Sequence, residues 1–433
     1  MSREIDIFLS IKITLFQNCG FGVIKKIKLG LKELNNFITR LRDIFYLNLV
    51  LIKNTVYTMK IGITCYPTYG GSGVVATELG KELAMAGHEV HFISYAMPHR
   101  LNHFFDNIYY HEVEMSNYPL FEHSLYGLSL TSKMLEVIEY EKLDLIHVHY
   151  AIPHAVSGYM AKQVLKKKNS DIKIITTLHG TDITLVGLEP SFLPLVKFSI
   201  EESDGVTTVS RFLKEKTITN YYIDKEIEVI HNFVDSELFK PSANQAFKEK
   251  VAPNGEKVLV HVSNFRPVKR VPDTIRILHR VLDEIPTKLL LVGDGPDRSE
   301  CERLVRELKL EKNVYFLGKQ DGLAEILSSS DLFLMPSQSE SFGLSALEAM
   351  SCGIPVISSS VGGLPELIVH NQTGYIAEIG DVNRMAKYTV DLLTNDKKYK
   401  AFSENSRKRS VNNFEKKLII PKYIDYYEKV LNS

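Results

Sequence analysis

From residue 59 onward, short apolar runs rich in β-branched residues alternate with stretches whose apolar positions recur at helical spacing. Such runs read as buried strands, and the stretches between them as helices lying on a sheet. In the first half, strands are expected at 60–65, 89–93, 145–149, 173–178, 205–209 and 227–230, with helical patterns such as 74–86 and 154–167 between them. Strand and helix in strict alternation imply a mostly parallel sheet covered on both faces. The rhythm breaks at 235–256, where Phe239-Lys240-Pro241-Ser242 and Ala252-Pro253-Asn254-Gly255 form turns. It resumes with strands near 257–262, 287–292, 313–316, 331–335 and 354–357. The fold class expected is α/β, with two Rossmann-like, doubly wound domains facing across a cleft. Their bounds are read as 59–238 and 239–412. A Tyr-rich helix over 413–433 (Tyr423, Tyr426, Tyr427) has no strand after it and is expected to pack back toward the first domain. In such a pair the carboxyl ends of both sheets face the cleft, where a ligand binds.

Residues 1–58 break this pattern. They carry nine Lys/Arg against four Asp/Glu, a net of +5, which leaves the remainder at −5. Their longest charge-free apolar run, Ile44–Ile52, is nine residues, and a membrane span needs roughly 20. No small-residue cleavage site follows a compact apolar run, so a secretory signal is not expected. Two readings stand: an upstream extension, with the working enzyme starting near Met59, or an amphipathic anchor lying on a membrane surface. The whole chain of 433 residues is charge-balanced, with 52 Lys/Arg and 52 Asp/Glu, and 44% of it is hydrophobic. That excludes a disordered or fibrous chain and lacks the basic excess of a general nucleic-acid binder. Four separated cysteines (Cys19, Cys65, Cys301, Cys352) with no Cys-x-x-Cys pair argue against a structural zinc or a disulfide framework and fit a reducing cytoplasm. Cys65, at the end of the first strand, is read as packing.

Candidate chemistry gathers at strand ends. The first strand runs into Tyr66-Pro67-Thr68-Tyr69-Gly70-Gly71-Ser72-Gly73 and then a helix, a turn whose free N–H groups suit an anion. Gly71-x-Gly73-x-x-Ala76 also matches a dinucleotide fingerprint, but the second strand ends Val90-His91-Phe92-Ile93-Ser94-Tyr95 without the acid that would hold a ribose. This disfavours NAD. In the second half, Glu340-Ser341-Phe342-Gly343-Leu344-Ser345-Ala346-Leu347-Glu348 follows a strand and opens a helix. The start of that helix, through Phe342, Gly343 and Leu344, suits a diphosphate, and a glutamate on each side can accept from sugar hydroxyls. Ser263-Asn264-Phe265-Arg266-Pro267-Val268-Lys269-Arg270 and Leu291-Val292-Gly293-Asp294-Gly295-Pro296 leave neighbouring strands. Arg266 and Lys269 could offset charge on a departing nucleotide. In the first half, His179 ends a strand beside Gly180, and His147-Val148-His149-Tyr150-Ala151-Ile152-Pro153-His154 ends another. The His-x-His pair invites a zinc reading, but its motif holds no Cys or carboxylate, so a polar wall of the acceptor site is preferred and no metal is expected.

These motifs together resemble the family 4 retaining glycosyltransferases of GT-B architecture, over most of 59–433. The Glu-x7-Glu stretch, the basic loop with Lys269, Gly293-Asp294-Gly295-Pro296 and Gly353-Ile354-Pro355-Val356 are its broad marks. A narrower likeness is to the branch that makes glucosaminyl malate for bacillithiol. It rests on Ile63-Thr64-Cys65-Tyr66-Pro67, Gly70-Gly71-Ser72-Gly73, the 147–154 and 178–182 motifs, Ser263-Asn264-Phe265-Arg266 and Tyr118-Pro119-Leu120-Phe121. Many relatives carry an arginine where this chain has Asn264, and Arg266 is expected to take over. The resemblance implies UDP-N-acetylglucosamine as donor substrate, L-malate as acceptor, and no cofactor. Arg266, Lys269, Gly73, Asp294, Phe342, Gly343 and Leu344 would form the donor site, with Glu348 on the ribose. His179 and Glu340 would hold the sugar as catalytic residues. Ser72, Tyr150, His154 and Thr181 would meet the acceptor. The alternative is a related transferase using a lipid, polysaccharide or phospho-sugar acceptor. The implied partners are small molecules, with no nucleic acid and no stable membrane insertion, and the reading leaves room for a homo-oligomer.

Overall fold

The computed structural model describes residues 58–101, 104–115, 123–168, 171–242 and 244–433. The 1–57 segment and Tyr118-Pro119-Leu120-Phe121 lie outside the described residues. Met59–Ser433 is one compact unit.

The first half holds strands β1 (Lys60–Thr64), β2 (Glu89–Ser94), β3 (Ile108–Glu112), β4 (Leu145–His149), β5 (Lys173–Leu178), β6 (Gly205–Thr208) and β7 (Glu228–Val229). Helices α1 (Gly71–Met85), α2 (Tyr126–Glu141), α3 (Val156–Lys166), α4 (Leu193–Glu202) and α5 (Arg211–Tyr221) connect them. All pairings are parallel, in the order β3-β2-β1-β4-β5-β6-β7. The central strands are buried on both faces, which is why they read as unbroken apolar runs.

The second half repeats the plan: α6 (Gln245–Val251), β8 (Lys257–Val262), α7 (Val271–Val281), β9 (Thr287–Val292), α8 (Arg298–Glu307), β10 (Val314–Gly318), α9 (Leu323–Ser328), β11 (Leu332–Met335), α10 (Leu344–Ser351), β12 (Val356–Ser359), α11 (Leu364–Leu367), β13 (Gly374–Ala377) and α12 (Val382–Thr394). Its order is β10-β9-β8-β11-β12-β13, again parallel. Strand order reverses between β1 and β4 in one sheet and between β8 and β11 in the other. A doubly wound sheet opens a crevice outside the carboxyl ends of its strands at such a point.

Two strands escape the apolar-run reading. β3 is a sheet edge with half its side chains toward solvent, so Ile108-Tyr109-Tyr110-His111-Glu112 shows no continuous run. β13 is four residues long and begins on a glycine.

The chain then crosses back. α13 (Asp396–Phe414) stays with the second sheet, where Arg407 donates to the carbonyls of Ser236, Phe239 and Ser351. α14 (Lys416–Leu431) follows a bridge between Val234 and Glu415. Its Ile419, Tyr423 and Tyr427 enter the core formed by Ile61 and Ile63 of β1 with Val75 and Leu79 of α1. The Tyr427 hydroxyl hydrogen-bonds His147 Nδ1 at 2.7 Å. Lys416 pairs with Glu82 at 2.7 Å and Asp235 at 2.8 Å.

Candidate active site

The second sheet supplies a basic loop and a helix start. After β8 the chain makes one tight turn, Pro267–Lys269, which aims the Lys269 ammonium at Glu340, 2.6 Å from Oε2. The Gln338 N–H donates to the Val268 carbonyl and binds the two loops together. Glu340 lies in the loop before α10, not on the helix. Gly343 takes φ +98° as the cap, and the helix proper starts two residues later than the pattern implies, at Leu344. A β-carbon at Gly343 would sit 2.7 Å from Leu364 Cδ2, so only glycine makes this turn. The Phe342 ring is buried between His231 and Phe414, leaving its backbone as the part able to meet a ligand. Glu348, two turns into the motif, is buried and meets Arg100 of the first half at 3.2 Å. Burial raises its carboxyl above the usual range, and the arginine opposes that rise. Arg266 is exposed. Asp294 is half exposed and accepts from the Gly295 N–H at 2.9 Å.

The first sheet supplies a histidine-rich wall. His149 ends β4 and His179 follows β5; His149 Nδ1 and His179 Nε2 are 2.8 Å apart. Between their loops lies Asp182, buried, accepting from the Ala151 N–H at 2.9 Å and the Gly180 N–H at 3.0 Å. Burial lifts its carboxyl to about 6 against these backbone donors. Burial also pulls His179 and His147 down to about 3, so both rings are uncharged near neutral pH. Tyr150 reaches across to Ser72 at the start of α1, with their hydroxyls 2.8 Å apart, and also bonds Thr181. His154 is fully buried with both nitrogens engaged, Nδ1 with the His149 carbonyl at 2.5 Å and Nε2 with the Tyr126 hydroxyl at 3.2 Å. It therefore holds the wall in shape and is not open to a ligand in this form.

These pieces meet. Gly180 abuts the Glu340–Ser341 loop so closely that a β-carbon there would overlap Ser341 Oγ. A side chain at Gly71 would touch Leu344 at the start of α10. A recess between α1 and α10 is lined by Val74, Glu78, Arg100, Phe239, Leu344 and Glu348. The Gly-rich turn, the His179 turn, the Glu340 loop and Glu348 thus face one cleft.

Residues 69–238 match the family model described as Glycosyltransferase Family 4, and residues 242–409 match that of the group 1 glycosyl transferases. The chain is 48% identical over 376 residues to N-acetyl-alpha-D-glucosaminyl L-malate synthase of Bacillus anthracis, an alignment covering 87% of this chain and 98% of that protein. The chain belongs to the family 4 glycosyltransferases. This glycosyltransferase shares its fold with sucrose-phosphate synthase from Thermosynechococcus elongatus, at TM-score 0.72 and 22% identity over 86% of this chain and 99% of that one. A structure of Anabaena HepE in complex with UDP and glucose superposes at TM-score 0.72, with 20% identity over the same shares. The architecture is GT-B.

Three residues of the glycosyltransferase gain their part only through the fold. Arg100 follows a Pro-His turn and meets Glu348 only through the fold. Asp182 sits inside a recognised motif, but its part in joining two loops needs the β4–β5 register. Glu366 accepts from the Arg211 and Phe212 N–H groups at 3.0 and 2.9 Å and from His231 at 3.2 Å, tying α11 to the start of α5. Among the described residues, no helix is long and apolar enough to cross a membrane.

Proposed function

We propose that this glycosyltransferase moves N-acetylglucosamine from UDP-N-acetylglucosamine to the hydroxyl of L-malate with retention at the anomeric carbon, the first step of bacillithiol synthesis. The observation that carries the reading is the junction of the His179–Gly180 turn with the Glu340–Ser341 loop, in a chain 48% identical to a malate-using relative along nearly that relative's whole length.

In this reading Arg266 and Lys269 take the diphosphate together with the N–H groups at Gly343 and Leu344. Lys269 pairs with Glu340 at 2.6 Å. Donor binding then exchanges that contact for phosphate on the lysine and sugar hydroxyls on the glutamate. Glu348 turns from Arg100 to the ribose. His179, uncharged, positions the sugar through hydrogen bonds. The bond from the anomeric carbon to the phosphate oxygen breaks through an oxocarbenium-like state, as in glycoside hydrolysis. The malate oxygen bonds to the same face, and its proton passes to the departing phosphate. The largest help is electrostatic, from cations and a helix start aimed at charge that develops on the leaving group. Ser72 and Gly73 at the start of α1, with Tyr150 and Thr181, would receive the malate carboxylates, and His154 would hold that wall from behind.

Glu340→Gln tests the reading. The substitution keeps the shape and removes the charge facing Lys269. Malate-dependent UDP release should fall by about 10²-fold or more while UDP binding persists. Turnover within about twofold of wild type would remove Glu340 from the sugar site.

A further inference from the structure

A second group of ligand-type side chains lies away from the cleft, at the outer edge of the first sheet. His91 is in the middle of β2, and His111 is on the edge strand β3. His91 pairs in register with Tyr109, so His111 is its diagonal neighbour on the same face. Glu141 is the last residue of α2, which packs over that face through Met134, Val137 and Ile138. One ligand atom from each of His91, His111 and Glu141 lies within 4.8 Å of the other two. His91 is buried, while His111 and Glu141 are half-buried, which leaves a way in from solvent.

The hydrogen bonds around this group fix where its lone pairs point. Glu89 pairs with Lys60 Nζ at 2.6 Å and meets His91 Nε2 at 3.0 Å. A carboxylate can only accept, so His91 carries its proton on Nε2 and leaves Nδ1 bare. Bare Nδ1 faces His111 Nε2 at 2.9 Å, and a single proton on the His111 nitrogen fills the gap. A cation can replace that proton. His111 then moves its proton to Nδ1, and the two imidazole nitrogens can turn with the Glu141 carboxylate onto one point. The carboxylate–histidine pairing of Glu89 and His91 is the outer contact that holds ligand histidines in their tautomer at metal sites. Zinc–nitrogen bonds of about 2.0–2.1 Å place tetrahedral ligands about 3.3 Å apart, so the two rings must open by about 0.4 Å and turn their facing nitrogens toward Glu141. Of the nearby cations, Lys60 is held behind Glu89, and Lys133 is paired with Glu136 at 2.8 Å.

We infer that His91, His111 and Glu141 form a site for a divalent transition cation of the zinc type, with water as fourth ligand and a role in clamping β3 and α2 rather than in transfer. The site is independent of the substrate reading.

The test uses the full chain, free of any affinity tag and stripped with chelator. It is titrated with Zn²⁺ by calorimetry and with Co²⁺ by visible absorption. One saturable site per chain is expected, with the absorption of a low-symmetry Co²⁺ complex and a melting temperature that rises with Zn²⁺. His111→Gln and Glu141→Gln should each abolish the absorption and the thermal shift. Glu89→Gln should weaken binding about 10–100-fold. His279→Ala, a histidine on α7 of the other half, should change nothing. Circular dichroism shows that each variant is folded. No saturable site in wild type, or a site that survives His111→Gln in a folded protein, would overturn the inference.

Discussion

Gly180→Ala isolates the contact on which the active-site account depends. Gly180 holds φ +113° and ψ −46°, a region closed to residues with a β-carbon. Forcing alanine there costs about 1–3 kcal/mol of backbone strain. The new methyl would also overlap Ser341 Oγ and stand 2.9 Å from Ser341 Cβ, where ordinary contact begins at 3.4 Å. The serine hydroxyl can rotate away but its β-carbon cannot, so the His179 turn and the Glu340 loop must part by at least about 0.5 Å. Misplacement by about 1 Å costs on the order of 10²-fold in rate, so a loss between about 10-fold and 10²-fold is expected. The assay is steady-state UDP release, with circular dichroism and denaturant unfolding to show that the fold survives. Ser341→Gly removes both atoms in the way and leaves the strain. The double variant Gly180→Ala/Ser341→Gly should therefore recover much of the rate while keeping the stability loss. Gly180→Ala turnover within about twofold of wild type would refute the convergence of the two loops in the working enzyme.

Arg100→Ala frees Glu348, so the KM for the UDP-sugar should move by about threefold or more with kcat within about twofold; an unmoved KM would place the pair outside the donor site. Burial holds His147 and His179 at about 3 and His154 and His261 at about 4. In the unfolded chain each protonates near 6.5. Below that pH the unfolded state binds more protons, so stability is full above about 6.5 and falls steadily as pH drops from there to about 4. Denaturant midpoints across that window should show it, and a flat profile would contradict it. Tyr427→Phe strips His147 Nδ1 of its 2.7 Å partner and should cost about 1–3 kcal/mol in urea unfolding; no measurable loss would mean the hydrogen bond adds nothing to the seat of α14.

Much of this fold is legible in the chain because parallel strands buried on both faces cannot disguise themselves. Ile61, Ile63, Leu145, Ile146, Ile174 and Ile175 are all buried, and each marks its strand. The edge strand β3 was not legible, since its side chains divide between core and solvent. The glycine-rich and paired-glutamate motifs are visible because they sit at strand ends with chemistry that a plain turn does not need. Arg100 was invisible for the opposite reason: its partner Glu348 is 248 residues away, and nothing local marks the contact. His154 shows a further limit. Its motif placed it in the acceptor wall, but the His149 carbonyl and the Tyr126 hydroxyl take its two nitrogens.

The central claim is that malate accepts the sugar. The most direct measurement mixes the purified full chain with UDP-N-acetylglucosamine, with and without L-malate, and reads released UDP together with the mass and anomeric configuration of the product. UDP release that requires malate, with an α-linked N-acetylglucosaminyl malate, is the predicted result. Donor binding with no malate-dependent turnover would contradict the claim and leave a family 4 transferase whose acceptor is a lipid, a polysaccharide or a phospho-sugar.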